Sequence, residues 1–88
     1  MNEIDKILRM KLIGACCREH RIKVLGLTLQ QFQEKTGIKL KTISNFENGR
    51  SGNIYYMFYY INLTDDSDKA DLILDIANIM KEVTNNEI

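Results

Sequence analysis

The sequence predicts an all-α fold, a small bundle of about five helices, and three observations carry that prediction. Proline is absent from the 88 residues and glycine occurs only five times, so little interrupts a helix except a few placed glycines. Apolar residues recur at steps of three and four along most of the chain. Gly26, Gly37 and Gly49 fall between such stretches, where a chain must stop and turn.

The first helix is predicted over residues 4–24. Ile4, Leu8, Leu12, Ala15 and Ile22 make a helical stripe, widened by Ile7, Met10 and Ile13. A break near residues 10–14 would set off a short extra helix. Leu25-Gly26-Leu27 connects to the next element. There Thr28 and Gln31 have the T-x-x-Q spacing of a capping box, in which each side chain satisfies a backbone donor at a helix start. Leu29, Phe32, Gln33 and Thr36 keep helical spacing, with Phe32 as apolar anchor, and predict a helix over 29–36. Gly37 stops it. Leu40, Ile43, Phe46 and Glu47 restart the period over 40–47, and Asn48-Gly49 closes it. Two short helices about a glycine turn have helix-turn-helix geometry, which can offer the second helix to a DNA major groove.

Residues 51–53 read as a loop, with Ser51 or Asn53 as an N-cap. In 54–63, Ile54, Met57, Phe58 and Ile61 share a helical face, flanked by Tyr55, Tyr56, Tyr59 and Tyr60 as edge residues with wet hydroxyls. Tyrosine also suits strands, but the period favours a helix. Residues 64–68, TDDSD, are a turn rich in capping residues, and their charge favours the start of a last helix over about 68–84. Leu72, Ile76, Ile79 and Val83 repeat there at heptad spacing, broadened by Ile73, Ala77 and Met80. This is more apolar surface than one helix of a small core needs. One side is therefore read as core and the other as a dimer interface, with Leu72, Ile76, Ile79, Met80 and Val83 as its residues.

The composition is that of an ordinary soluble chain, 44% hydrophobic and 27% charged, and 88 residues suit one domain spanning 1–88. No apolar run approaches the roughly 18 residues of a membrane span, and the acidic start carries no signal-peptide pattern, so a cytoplasmic protein is expected. Net charge is zero but unevenly placed. Residues 18–50 hold seven Lys/Arg against Glu19, Glu34 and Glu47, a net of +4, whereas 64–88 hold two Lys against seven Asp/Glu, a net of −5. A basic motif with an acidic tail fits a one-faced DNA binder. Adjacent Cys16 and Cys17 point about 100° apart on a helix, which disfavours a disulfide between them. With the single His20 they are too few ligands for a metal site. No cofactor and no small-molecule ligand are expected, and no base–nucleophile set surrounds His20, which argues against an enzyme.

Leu27-Thr28, Phe32, Gly37-Ile38, Thr42-Ile43-Ser44, Phe46-Glu47-Asn48-Gly49 and Arg50 together resemble the helix-turn-helix of the Cro and lambda-repressor-like (XRE-type) family. The likeness covers about residues 13–63 and is most specific at its S-x-F-E-N-G-R end. Leu29 stands where that family usually has Gln, Gln33 where it usually has Ala, and one residue is inserted between Arg21 and Thr28. The first departure weakens the family's usual phosphate contact at the start of the second helix. The resemblance implies an ion pair between Glu47 and a first-helix arginine, Arg21 (or Arg18 if the insertion shifts the register).

Base reading needs side chains at the exposed front of the second motif helix, which are Lys39, Leu40, Lys41, Ser44 and Asn45. Lys can reach guanine and Asn can bond adenine, and the resemblance gives Lys39, Lys41 and Asn45 that role by analogy. The two lysines can equally serve phosphates. Thr28, Gln30, Thr42, Asn48, Arg50, Ser51 and Asn53 are the phosphate candidates. The function expected is a sequence-specific double-stranded DNA-binding regulator, a homodimeric repressor of phage, mobile-element or bacterial origin. The alternative is an antitoxin- or antirepressor-type module whose partner is another protein, favoured by the zero net charge and the apolar last helix. Salt-dependent binding to duplex DNA separates the two.

Overall fold

The structure is a computed structural model; it describes residues 3–85, and side chains within 5–81. Five α-helices and one 3₁₀ turn succeed one another: α1 (Glu3–Lys23), α2 (Leu29–Thr36), α3 (Leu40–Glu47), the turn Ile54–Tyr56, α4 (Met57–Asn62) and α5 (Asp66–Asn85). No strand occurs among the described residues.

The first helix is a single 21-residue element, without the break near residues 10–14. Gly14 serves an interhelical contact instead. A Cβ there would lie 2.4 Å from the Phe46 carbonyl oxygen and 2.7 Å from that of Glu47, so the end of α3 rests on the bare backbone of α1. Gly49 makes the reciprocal approach: its φ is +73°, and a Cβ would meet the Lys11 Cα at 2.7 Å. The core face of α1 is Met10, Ile13, Cys17, His20 and Arg21. Leu8, Leu12 and Ile22, assigned to the inward stripe from sequence, are instead exposed. The helix carries two apolar stripes, and the one holding Gly14 and Arg21 turns inward because both must meet α3.

The capping box at Thr28 forms as predicted: the Gln31 N–H donates to Thr28 Oγ1 and the Thr28 N–H to Gln31 Oε1. Gly37 ends α2 in the left-handed region at φ 79°, its N–H donating to the Gln33 carbonyl. Phe32, Ile43 and Phe46 are buried, and Ile38 and Ile61 pack against them half-buried.

Two further assignments require correction. The tyrosines after α3 do not all flank the core. Tyr60 is almost wholly buried, its ring 4.5 Å from that of Phe32 and 5.7 Å from that of Phe46, whereas Phe58 is exposed. The segment opens as a 3₁₀ turn, which advances about 120° per residue rather than 100°. Three such residues rotate the adjoining helix α4 by roughly 60°, enough to bring Tyr60 inward and turn Phe58 out. The second correction concerns α5, which starts two residues earlier than predicted, at Asp66. Leu72 and Ile76 lie in the chain's own core, and Ile79 and Met80 pack against it, because the α5 stripe meets the long α1. Leu72 and Ile76 are thus covered within the chain and cannot form the dimer face assigned from sequence, whereas Ile79 and Met80 stay half-buried. Val83 lies outside the residues whose side chains are described. The outer face of α5 shows Ile73 and Leu74 instead.

Candidate nucleic-acid interface

Helix α3 buries Ile43, Phe46 and Glu47. At roughly 100° per residue, Lys41, Ser44, Asn45 and Asn48 fall on the opposite side, flanked by Leu40 and Thr42. Lys41 and Asn48 are exposed, Ser44 and Asn45 half-buried, and Lys39 stands exposed just before the helix in extended conformation. Lys39 gives α3 no side-chain cap. The cap comes from Gln33 on α2, whose Oε1 accepts the Leu40 N–H at 2.7 Å. The turn between the helices is pinned further by Thr36, whose hydroxyl donates to the Phe32 carbonyl and accepts the Ile38 N–H.

A carboxylate at the end of α3 would repel phosphate were it exposed, and here it is withdrawn. Arg21 donates to Glu47 from Nε at 2.8 Å and from Nη2 at 2.9 Å, and from Nη1 to the Leu27 carbonyl at 2.8 Å. The Tyr60 hydroxyl donates to Glu47 Oε2 at 2.8 Å. The ion pair is only 5% and 3% exposed on its two sides. Hydrogen bonding to Glu47 holds the Arg21 guanidinium above its ordinary pKa, and burial, with Glu47 beside it, pushes the Tyr60 phenol up. One carboxylate thus ties together α1, the α1–α2 connection, α3 and α4. The outward charges along residues 39–50 are then Lys39, Lys41 and Arg50.

The helix-turn-helix family model matches residues 18–53. Over that segment the chain is similar to the Cro/C1-type, XRE-like helix-turn-helix family. No curated protein and no solved structure matches the chain. The match supports a DNA-binding transcription regulator of this type.

Within this helix-turn-helix the residues singled out from sequence fall into two groups. Lys41, Ser44 and Asn45 lie on the side of α3 away from its buried residues, with Leu40 on the flank and Lys39 exposed just before the helix. The phosphate candidates are more dispersed, and several already hold local structure. Thr28 caps α2, and Gln30 is exposed on its first turn. The Asn48 amide donates to the Ser44 carbonyl. The Arg50 N–H donates to the Asn45 carbonyl, leaving its side chain exposed. Ser51 Oγ accepts the Asn53 N–H, and Asn53 Oδ1 caps the 3₁₀ turn at Tyr55. Thr42 is half-buried on the flank of α3.

Sequence reasoning gave Gln33 no part in the turn and placed Tyr60 at the edge of the core rather than on Glu47. Gln33 carried a signal, a long polar side chain where the resembled family has alanine. Tyr60 carried none, because its place depends on the 3₁₀ start.

Away from this face, His20 Nε2 meets Thr64 Oγ1 at 2.8 Å, and Thr64 donates its one hydroxyl hydrogen to the Tyr60 carbonyl. The His20 Nε2 must therefore carry a proton and donate. Burial holds the His20 pKa below its ordinary 6.5 against the opposing pull of Asp68 and Asp75. Burial also raises the thiols of Cys16 and Cys17, both free. Among the described residues no group of three or more His, Cys, Asp or Glu could hold a metal, and no helix is long and apolar enough to cross a membrane.

Proposed function

We propose that the chain is a sequence-specific repressor that binds double-stranded DNA as a homodimer, with the front of α3 in the major groove. The observation that carries this is the outward face of α3. It presents Lys39, Lys41, Ser44 and Asn45 together, while Glu47, the carboxylate at the end of the same helix, is buried on Arg21. Lys41 and Asn45 are one helical turn apart and reach base edges; Leu40 meets a thymine methyl. Arg50, Gln30 and Lys39 contact phosphate, together with Thr28, Thr42, Asn48, Ser51 and Asn53 through amides and side chains that also hold the local turns. One eight-residue helix reads only a few base pairs, so a second copy is needed for a useful specificity ratio. The outer face of α5, with Ile73 47% and Leu74 59% exposed, is the face we assign to that copy. Small, all-helical architecture of this kind suits a phage, mobile-element or bacterial regulator acting by its own concentration.

Sedimentation of the protein alone and with random-sequence duplex, at low and moderate salt, tests the reading. A dimer that binds at low salt and releases steeply as salt rises is the expected result. Operator selection would then show Lys41→Ala or Asn45→Ala losing about 1–3 kcal/mol of discrimination at one base position. Indifference to duplex at low salt would overturn the proposal in favour of a protein-binding module.

A further inference from the structure

The α2–α3 junction is held by one side chain that the helix-turn-helix pattern does not call for. Gln33 accepts the Gly37 N–H at 2.8 Å through its backbone carbonyl and the Leu40 N–H at 2.7 Å through Oε1. The same residue therefore fixes both the turn and the first residue of α3, a helix without a cap of its own. The Leu40 donor requires an acceptor, which settles the orientation of the amide. Covalent geometry then keeps Nε2 and its two donors beside that same end of α3. Residues at the N-terminal end of the second helix are the ones that approach base edges, and amides gathered there suit phosphate.

We infer that Gln33 is a positioning residue for DNA binding: it caps α3 at the height that presents Lys39 and Lys41, and its amide lies on the DNA-facing rim. This rests on the proposed DNA-reading role of α3. A carboxylate in its place would keep the cap, because an acceptor beside the positive end of a helix is favourable, yet would set a negative charge against phosphate.

The test compares wild type, Gln33→Ala and Gln33→Glu in thermal melting and in binding to a random-sequence duplex over a range of salt. Gln33→Ala is expected to melt about 4–8 °C lower, the loss of one cap in a domain of this size. Gln33→Glu is expected to melt at or above wild type but to bind duplex about tenfold more weakly at low salt. Its slope of log affinity against log salt should be shallower by about 0.9. A Gln33→Glu protein that melts normally and binds like wild type overturns the rim position. One that melts well below wild type, or an alanine variant that melts like wild type, overturns the cap. Failure of the wild type itself to bind duplex overturns the reading of α3 and this inference with it, a result distinct from any difference among the variants.

Discussion

Replacing Glu47 with alanine removes the acceptor of three short hydrogen bonds at once, two from Arg21 and one from Tyr60. The guanidinium would keep only the Leu27 carbonyl, in a site where its side chain is 5% exposed. Breaking a buried pair by deleting one partner costs about 3–5 kcal/mol, because the remaining charge is left uncompensated. An orphaned hydroxyl adds about 1–3 kcal/mol. Solvent screening gives little relief at this burial. A domain of this length has a total stability of about 4–13 kcal/mol, so the loss is a large share of it. At about 4–8 °C per kcal/mol, melting by circular dichroism should fall by at least about 15 °C. The double variant Arg21→Met, Glu47→Leu should recover part of the loss, since it leaves no buried charge. An alanine variant melting within about 3 °C of wild type, or a double variant no better than the single, would refute the claim that this pair holds the four elements together.

Two of the left-handed glycines should respond differently. Gly37→Ala meets no atom within 4 Å and should cost only the backbone strain of its positive φ, about 1–2 kcal/mol. Gly49→Ala also drives a Cβ into the backbone of Lys11, and urea titration should show a loss larger by about 1–3 kcal/mol. Gly14→Ala, aimed at the Phe46 and Glu47 carbonyls, should lose stability although alanine is the better helix former, and a stabilised variant would contradict the close α1–α3 approach. His20 makes stability depend on pH. Its pKa is depressed in the fold, so the unfolded chain binds the proton first, and the stability present above pH 6.5 is lost as pH falls from 6.5 through the folded value. Comparing wild type with His20→Gln by melting across pH 7.5–5.5 isolates this contribution, and equal slopes for the two proteins would exclude it.

What could be read from the sequence was set by how local the deciding interaction is. The capping box of Thr28 and Gln31 and the left-handed Gly37 act within a few residues, so α2, the turn and α3 were legible to the residue. The outward face of α3 came from its period alone. The core stripe of α1 did not, because that helix has apolar residues on two sides, and the choice falls to Gly14 against the carbonyls of α3 and to Arg21 reaching Glu47 across 26 positions. Apolar periodicity says that a face is covered but not by what. That is why the Leu72–Ile76 stripe read as an interface and turned out to be the seat of α5 on α1. Gln33 lies between these cases. Its bond spans only seven residues, yet whether Oε1 reaches the Leu40 N–H depends on the angle between α2 and α3, which Phe32, Ile43 and Phe46 set by packing. A substitution at Gln33 can therefore disturb how α3 is presented while leaving those three core residues untouched, which is why melting and DNA affinity can separate there and cannot at Glu47.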